Sequence, residues 1–502
     1  MKSEATRFFA AQAWVQGEWA YDVLLEVDDK GHWSKVQANT LEDQRQDAQI
    51  LSGPVLPGVV NAHSHAFQRA IAGLTERQTS PGAWVAGRSA QVKEEPATRV
   101  GLTVVEEQSV QPPKLLASAD NFWSWRDRMY SAANRISPEQ LEVIATQLYA
   151  ELLQGGYTQV CEFQYLQNDV DGGPYTDPAE MSLALVRAAQ RTGIGLTLLP
   201  TLYMRSGFAA KGLREDQRRF ASTPDSIARI VESVQRQTAN DPCIHIGVAL
   251  HSLRAVPPAA LKELATYAQM KKLPVHIHIA EQTQEVDDCL AHTGQRPIEW
   301  LLNHAAVDAR WNLVHATHTS PQELAGIAQA GASIVICPST EANLGDGVFD
   351  LPGYAAVQGA WSIGSDSHVT RSWVEELRLL EYSQRLSQRQ RNIAAYYLGK
   401  NSPDPSSSGS SSSAAALLQA TLHGGLAASG LPLSGIAVGQ RADFAALDSR
   451  SSALQGMPDD YVLDALVFSS PSANFVQTFV AGRLATGGQS ADFAQVMQAL
   501  WA

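Results

Sequence analysis

The sequence predicts an α/β fold: a TIM-like (β/α)8 barrel with a small β-sandwich module formed by the N- and C-terminal segments. Three observations point there. Short apolar runs alternate with helix-spaced amphipathic segments from residue 54 onward. Strand-like segments bounded by turn residues precede residue 56 and return after residue 433. Histidines and an aspartate recur at the C-terminal ends of the apolar runs, which in a barrel converge on one mouth.

Residues 8–14 and 20–27 read as strands, followed by turns rich in Asp, Gly and Asn. The first barrel run spans 55–62. A helix opens at Ser137, an N-cap, with Pro138 in the first helical position and Gln140 placed to close a capping box. Leu141, Ile144, Leu148 and Leu152 follow at helical spacing, and Gly155-Gly156 end the helix. Further strand-like runs lie at 158–163, 195–200, 244–250, 274–279, 312–316, 333–337 and 361–365. Helical patterns fill most gaps, as at 257–270, 321–330 and 373–386. The alternation implies parallel pairing with right-handed crossovers. A doubly wound open sheet shares it, and strand count does not separate the two.

Two segments break the rhythm. Residues 77–120 are mixed in charge and weakly periodic, an insertion that is either a lid over the mouth or a surface loop. Residues 402–413, SPDPSSSGSSSS, read as a flexible linker before a helix at 414–426. Strand-like segments at 439–448 and 475–481 pair with the N-terminal strands, and a helix at 491–500 closes the chain. The expected division is 1–56 with 433–490 as a composite β module, 57–432 as the barrel, and 491–502 as a terminal helix.

The 502 residues are 44% hydrophobic and 18% charged, enough for a sizeable core. A formal net charge of -13 argues against a nucleic-acid partner, which needs a basic patch. It is compatible with an anionic small molecule, because a few arginines in a cleft reverse the local potential. Cys161, Cys243, Cys289 and Cys337 are scattered without a CxxC pair, so free thiols in a reducing compartment are expected. With no leader-like segment and no run near the ~20 apolar residues of a membrane span, a cytoplasmic protein without a membrane partner is expected.

Residues two apart in a strand face the same way, so His63 and His65 point together beyond the apolar run that precedes them. His278, His315 and Asp366 stand at the ends of three other runs, and His251 at a fourth. We expect His63, His65, His278 and Asp366 to bind one divalent metal ion, with zinc as the expected ion; ligand identity leaves iron or manganese open. No lysine stands near the end of the run that closes at His251, which favours a mononuclear site. Glu281 is placed to shuttle protons for a metal-activated water, while Asp366 and His315 flank it. His276 shares a face with His278 but lies deeper, as a packing or supporting residue. His318 and His368 fall just beyond strand ends as supporting groups. His32, His245, His292, His304 and His423 lack a comparable context.

These residues resemble a known family. Residues 57–65, Pro-Gly-Val-Val-Asn-Ala-His-Ser-His, are similar to the opening metal motif of the amidohydrolase superfamily. His278 with Glu281, His315, and Ser365-Asp366-Ser367-His368 resemble its deaminase branch. Residues 61–69, 122–126, 251–256, 276–282 and 339–347 resemble more narrowly the members that deiminate N-formimino-L-glutamate in histidine degradation. The resemblance implies a small dicarboxylate substrate and attack of activated water on the formimino carbon. Glu281 would pass a proton to the leaving nitrogen, releasing ammonia and N-formyl-L-glutamate. Arg126 and Arg254 would bind the carboxylates, Tyr165 and His251 would assist them, and Gln68 would contact the formimino group. A homodimer is the family-level expectation. Two other readings are weighed: a deaminase or chlorohydrolase of the same superfamily acting on a purine, pterin or triazine ring, and a catalytically silent binding barrel.

Overall fold

Gly58 divides what the sequence presents as one apolar run into two strands that belong to different sheets. A Cβ there would lie 2.3 Å from Thr158 Oγ1 and 2.9 Å from Asp443 Cβ, so only glycine lets the chain pass. In the computed structural model, residues 6–76, 122–399, 412–433, 435–470, 475–488 and 490–501 are described. The expected insertion at 77–120 lies outside them, as does the serine-rich linker apart from Ser412 and Ser413.

The strands in chain order are β1 (Thr6–Val15), β2 (Glu18–Val27), β3 (Trp33–Gln37), β4 (Gln49–Ile50), β5 (Val55–Pro57), β6 (Val59–Ser64), β7 (Tyr157–Gln164), β8 (Gly195–Leu202), β9 (Ile244–Ile246), β10 (Val248–Ser252), β11 (Val275–Ile279), β12 (Trp311–His315), β13 (Ser333–Ile336), β14 (Ala360–Ile363), β15 (Phe444–Leu447), β16 (Phe475–Val480) and β17 (Arg483–Leu484). The run expected at 244–250 is likewise two strands. Gly247 breaks it where a Cβ would press on Leu199 and Pro274, leaving β9 paired with β8 alone.

Eight strands make the barrel, in the order β14-β13-β12-β11-β10-β8-β7-β6, and every pair is parallel. The ring closes where β14 meets β6, through a parallel bridge between Ser64 and Asp366. His65 N donates to Asp366 O at 3.3 Å and Asp366 N donates to His63 O at 3.0 Å. That closure decides against the open sheet, and it falls on the very residues expected to bind metal. Amphipathic helices cover the outside. Pro138–Gln154 carries the capping box read from the sequence, with Gln140 N donating to Ser137 Oγ at 3.2 Å and Ser137 N to Gln140 Oε1 at 3.0 Å.

The helix Ser413–Ser429 lies across the barrel end opposite the histidines. Its cap is Ser412, so the last two residues of the expected linker belong to the helix. Inward side chains low on five strands reach its backbone carbonyls. Thr197 Oγ1 donates to Ser429 O at 3.0 Å, Asn312 Nδ2 to Ala427 O at 3.3 Å and Ser362 Oγ to Thr421 O at 3.3 Å. Cys161 Sγ and His276 Nε2 both meet Ala428 O. The carbonyls of Ala427, Ala428 and Ser429 belong to the last turn of the helix and would otherwise be buried without donors. Gly424 lets the helix touch β14, since a Cβ would clash with Trp361 O at 1.9 Å.

The second sheet joins both chain ends in the order β17-β16-β15-β5-β1-β2-β3, with β4 on β1. It curls until Trp33 N donates to Gln440 O and Ala442 N to Gly31 O, each at 2.8 Å. Inside the curl, Phe8 meets Phe444 edge-on at 5.1 Å and Phe444 stacks on Phe479 at 4.4 Å. Between β15 and β16 the chain forms the helix Val462–Ser469, whose Val462, Leu463, Leu466 and Val467 join the barrel's core. The terminal helix, Phe493–Trp501, is tied back by Trp501 Nε1 donating to Ala70 O at 3.2 Å.

Candidate active site

His63 lies on β6, His278 on β11 and His315 at the end of β12, while His65, Glu281 and Asp366 sit in the turns just after strands. Several of these turns use left-handed backbone: φ is +68° at His315, +44° at Asp366 and +53° at Ala280, beside Glu281. Such residues cost on the order of 1–3 kcal/mol each and persist where their surroundings over-determine them. At Asp366 the two closing hydrogen bonds do so.

The side chains expected to bind metal converge. His63 Nε2, His65 Nε2 and His278 Nε2 are 3.0–3.3 Å apart. Asp366 Oδ1 is 3.4 Å from His63 Nε2 and 3.3 Å from His65 Nε2. Tetrahedral donors about 2.0–2.1 Å from an ion are about 3.3 Å from one another, so the three imidazoles suit a divalent ion, with Asp366 beside two of them. Burial pushes the imidazoles of His63, His65 and His278 below their ordinary pKa, leaving them as neutral lone-pair donors. His65 Nδ1 faces Phe163 O and His278 Nδ1 faces His251 O, each at 2.9 Å. A proton on Nδ1 satisfies each carbonyl and turns the bare Nε2 inward.

A further ring of buried groups holds these donors. Glu162 on β7 accepts from Ser64 Oγ at 2.7 Å, from Tyr149 Oη at 3.2 Å and from Ala66 N at 2.5 Å, bracketing the two histidines of β6. Burial raises its carboxyl to about 7. His368 spans Ser365 Oγ and His65 O, each at 3.0 Å, and Asn61 Nδ2 donates to Ser365 Oγ at 2.7 Å.

Glu281 Oε1 stands 3.7 Å from His315 Nε2, and Asp366 Oδ2 stands 3.8 Å from the same nitrogen. Burial pushes the Glu281 carboxyl up to about 7, with His315 pulling it down and Asp366 pushing it up. A carboxyl poised there exchanges a proton readily in either direction. Burial alone would lower His315. The carboxylates of Glu281, Glu341 and Asp366 outweigh it and carry the imidazole up to about 10.

One cavity contains His65, His278, Glu281, His315 and Asp366 in its wall, and also Gln68, Arg126, Tyr165, His251 and Arg254. The structure thus brings every residue expected to bind substrate into one cavity with His65, His278 and Asp366. Gln68 Nε2 donates to Tyr165 Oη at 3.3 Å, while the buried Gln68 Oε1 has no hydrogen-bond partner among the described residues. His251 lies under Tyr203, ring centroids 4.2 Å apart. Phe122 and Trp125 complete the rim, and the Arg254 guanidinium stands 5.9 Å from the Phe122 ring centroid.

Residues 55–485 match the Amidohydrolase family. The chain belongs to that family. It is 42% identical over 475 residues to the formimidoylglutamate deiminase of Pseudomonas aeruginosa, covering 95% of this chain and 93% of that one. The crystal structure of an amidohydrolase from Brucella melitensis superposes with a TM-score of 0.83 at 37% identity, over 99% of this chain and 100% of that one. An adenosine deaminase from Xanthomonas campestris, solved with bound zinc, shares the fold at 21% identity and a TM-score of 0.71, over 99% of this chain and 97% of that one.

Sequence reasoning missed Glu162, Glu341, Tyr130, Tyr203 and Gln217. Glu341 lies within one of the stretches that carry the family resemblance, which was the available signal. Glu162 sits inside a strand buried along its whole length, and a carboxylate there is costly unless it has a task. No helix among the described residues is long and apolar enough to cross a membrane.

Proposed function

We propose that this amidohydrolase is a metal-dependent deiminase that hydrolyses N-formimino-L-glutamate to N-formyl-L-glutamate and ammonia, a step of histidine degradation. One observation carries the reading: Arg126 and Arg254 share a cavity with His65, His278 and Asp366, three of the four proposed metal donors, which suits a substrate with two carboxylates at one end and a hydrolysable carbon at the other. The 42% identical relative named for this activity supports it.

His63, His65, His278 and Asp366 are the proposed ligands of a single zinc ion, in keeping with the zinc held by a protein of the same fold. When bound, the ion supplies Lewis acidity that lowers the pKa of water toward neutrality. Glu281 accepts a proton from the attacking water and returns it to the formimino nitrogen that leaves as ammonia. His315 steadies charge on the oxygen added to the carbon, with Asp366 Oδ2 beside it. Gln68 Oε1 accepts from a formimino N–H, a natural partner for a buried acceptor that has no other among the described residues. Arg126 and Arg254 pair with the carboxylates, assisted by Tyr165 and His251. The cytoplasmic setting rests on the scattered, unpaired cysteines, and the homodimer on the family resemblance.

The test is ammonia release by the purified protein. Release from N-formimino-L-glutamate, with none from guanine, adenosine or a chlorotriazine, is expected. Preference for a ring substrate would overturn the assignment while leaving the metal chemistry standing.

A further inference from the structure

Beside the arginines, three buried polar side chains form a closed triangle. Tyr130 Oη and Tyr203 Oη are 3.2 Å apart. Gln217 Nε2 lies 3.2 Å from the first and 3.0 Å from the second. The orientation of the Gln217 amide is settled by its other end, because Oε1 accepts the Arg214 backbone N–H at 3.0 Å. Both Nε2 protons are therefore available to the tyrosines, one for each oxygen.

The remaining protons can be counted. Each tyrosine brings one hydroxyl proton. One of them spans the edge between the two oxygens. The other has no acceptor within the triangle, and among the described residues neither oxygen has a further polar partner. A buried hydroxyl donor left unsatisfied is costly. Tyr203 is packed beneath His251 and does not line the cavity, whereas Tyr130 does. The arrangement that wastes least has Tyr203 donating to Tyr130, and Tyr130 directing its own proton into the cavity.

What that proton meets is indicated by its surroundings. Tyr130 lies four residues after Arg126 on the helix Phe122–Ala133, so both side chains fall on one face. The guanidiniums of Arg126 and Arg214 stand 5.5 Å and 5.7 Å from the Tyr130 ring centroid. An anionic acceptor suits such a place.

We propose that Tyr130 is a substrate-binding residue that donates its hydroxyl proton to one carboxylate of the substrate, and that Gln217 and Tyr203 are positioning residues that leave it no other use for that proton. This rests on the dicarboxylate substrate proposed above. It adds a neutral, directional donor to the two cationic ones, and favours a carboxylate over an amide at that end of the ligand because the bond to a charged acceptor is the stronger.

The experiment measures binding of N-formyl-L-glutamate and its two mono-amides by calorimetry, using the metal-loaded wild type, Tyr130→Phe and Gln217→Glu. Tyr130→Phe should weaken N-formyl-L-glutamate about tenfold and leave one mono-amide within twofold of wild type. Gln217→Glu replaces donors by acceptors, draws the Tyr130 proton back into the triangle and should weaken the same ligand in the same way. Wild-type affinity in both variants, or an equal loss for all three ligands, overturns the inference. A wild type that neither binds N-formyl-L-glutamate nor releases ammonia from N-formimino-L-glutamate overturns the deiminase reading itself, a result distinct from normal wild-type behaviour with unaffected variants.

Discussion

His315 Nδ1 lies 3.3 Å from Glu341 Oε1, and the same oxygen accepts the Cys337 N–H at 2.9 Å. Glu341 belongs to the short helix Pro338–Leu344, so its carboxylate is held from two sides. The contact fixes the His315 ring with Nε2 toward Glu281 and Asp366. Glu341→Gln is expected to lower kcat about 10–100-fold, with KM and metal content near wild type, because a supporting partner is lost and no ligand is. Steady-state kinetics with metal analysis checks this; unchanged kcat would show that the ring needs no such anchor.

Glu281→Gln keeps the size of the side chain and removes its exchangeable proton. Turnover should fall by about 10²–10⁴-fold while the ion stays bound. Retained turnover would remove Glu281 from proton transfer.

Chelation should abolish ammonia release and lower the melting temperature together. The folded state alone assembles the four donors, so an ion at about 100 times its Kd adds about 2.7 kcal/mol of stability. Scanning calorimetry before and after chelation and re-addition of zinc measures it. Full activity of metal-free protein would overturn the metal reading.

Gly364 follows β14 directly, and a Cβ there would lie 2.6 Å from His63 Cβ and 2.9 Å from the His63 backbone N. Gly364→Ala should push β14 away from β6 and cost about 1–3 kcal/mol. Metal affinity should fall with it, because the same displacement moves Asp366 from His63 and His65. Denaturant unfolding and metal titration report the two effects.

Glu376 is buried and accepts from both Ser339 N, at 2.9 Å, and Ser339 Oγ, at 2.6 Å. Burial nonetheless raises its carboxyl to about 8. Between its ordinary pKa and that value the folded state holds a proton that the unfolded chain has lost, so this group makes stability decline as pH rises from about 4.5 to about 8. Glu376→Gln removes that contribution. Its stability relative to wild type should rise across the window, by on the order of a few kcal/mol in total. Urea unfolding at several pH values tests it; a constant difference would contradict the raised pKa.

The cluster of His63, His65, His278 and Asp366 was legible because its positions follow from two simple periodicities. A strand repeats every two residues, which faces His63 and His65 together, and barrel strands end on one rim, which adds His278 and Asp366. Arg126 was harder to read, since Asp127 beside it suggested a surface ion pair. In the structure Asp127 pairs instead with Arg214 at 3.1 Å. The breaks at Gly58 and Gly247 lay hidden in continuous apolar runs, although a glycine within a strand is itself a warning. Glu162, Glu341 and Gln217 act across contacts spanning 98, 26 and 87 residues of chain. No local pattern encodes such distances.

Among the described residues, the helix Ser413–Ser429, bonded to side chains of five barrel strands, stoppers one end of the barrel and leaves the other as its doorway. Substrate and products share that route, so ammonia and the spent dicarboxylate must depart past the same aromatic threshold, Phe122 and Trp125, that admitted the reactant. Traffic is therefore part of the catalytic cycle: whatever narrows the threshold to retain substrate also delays departure.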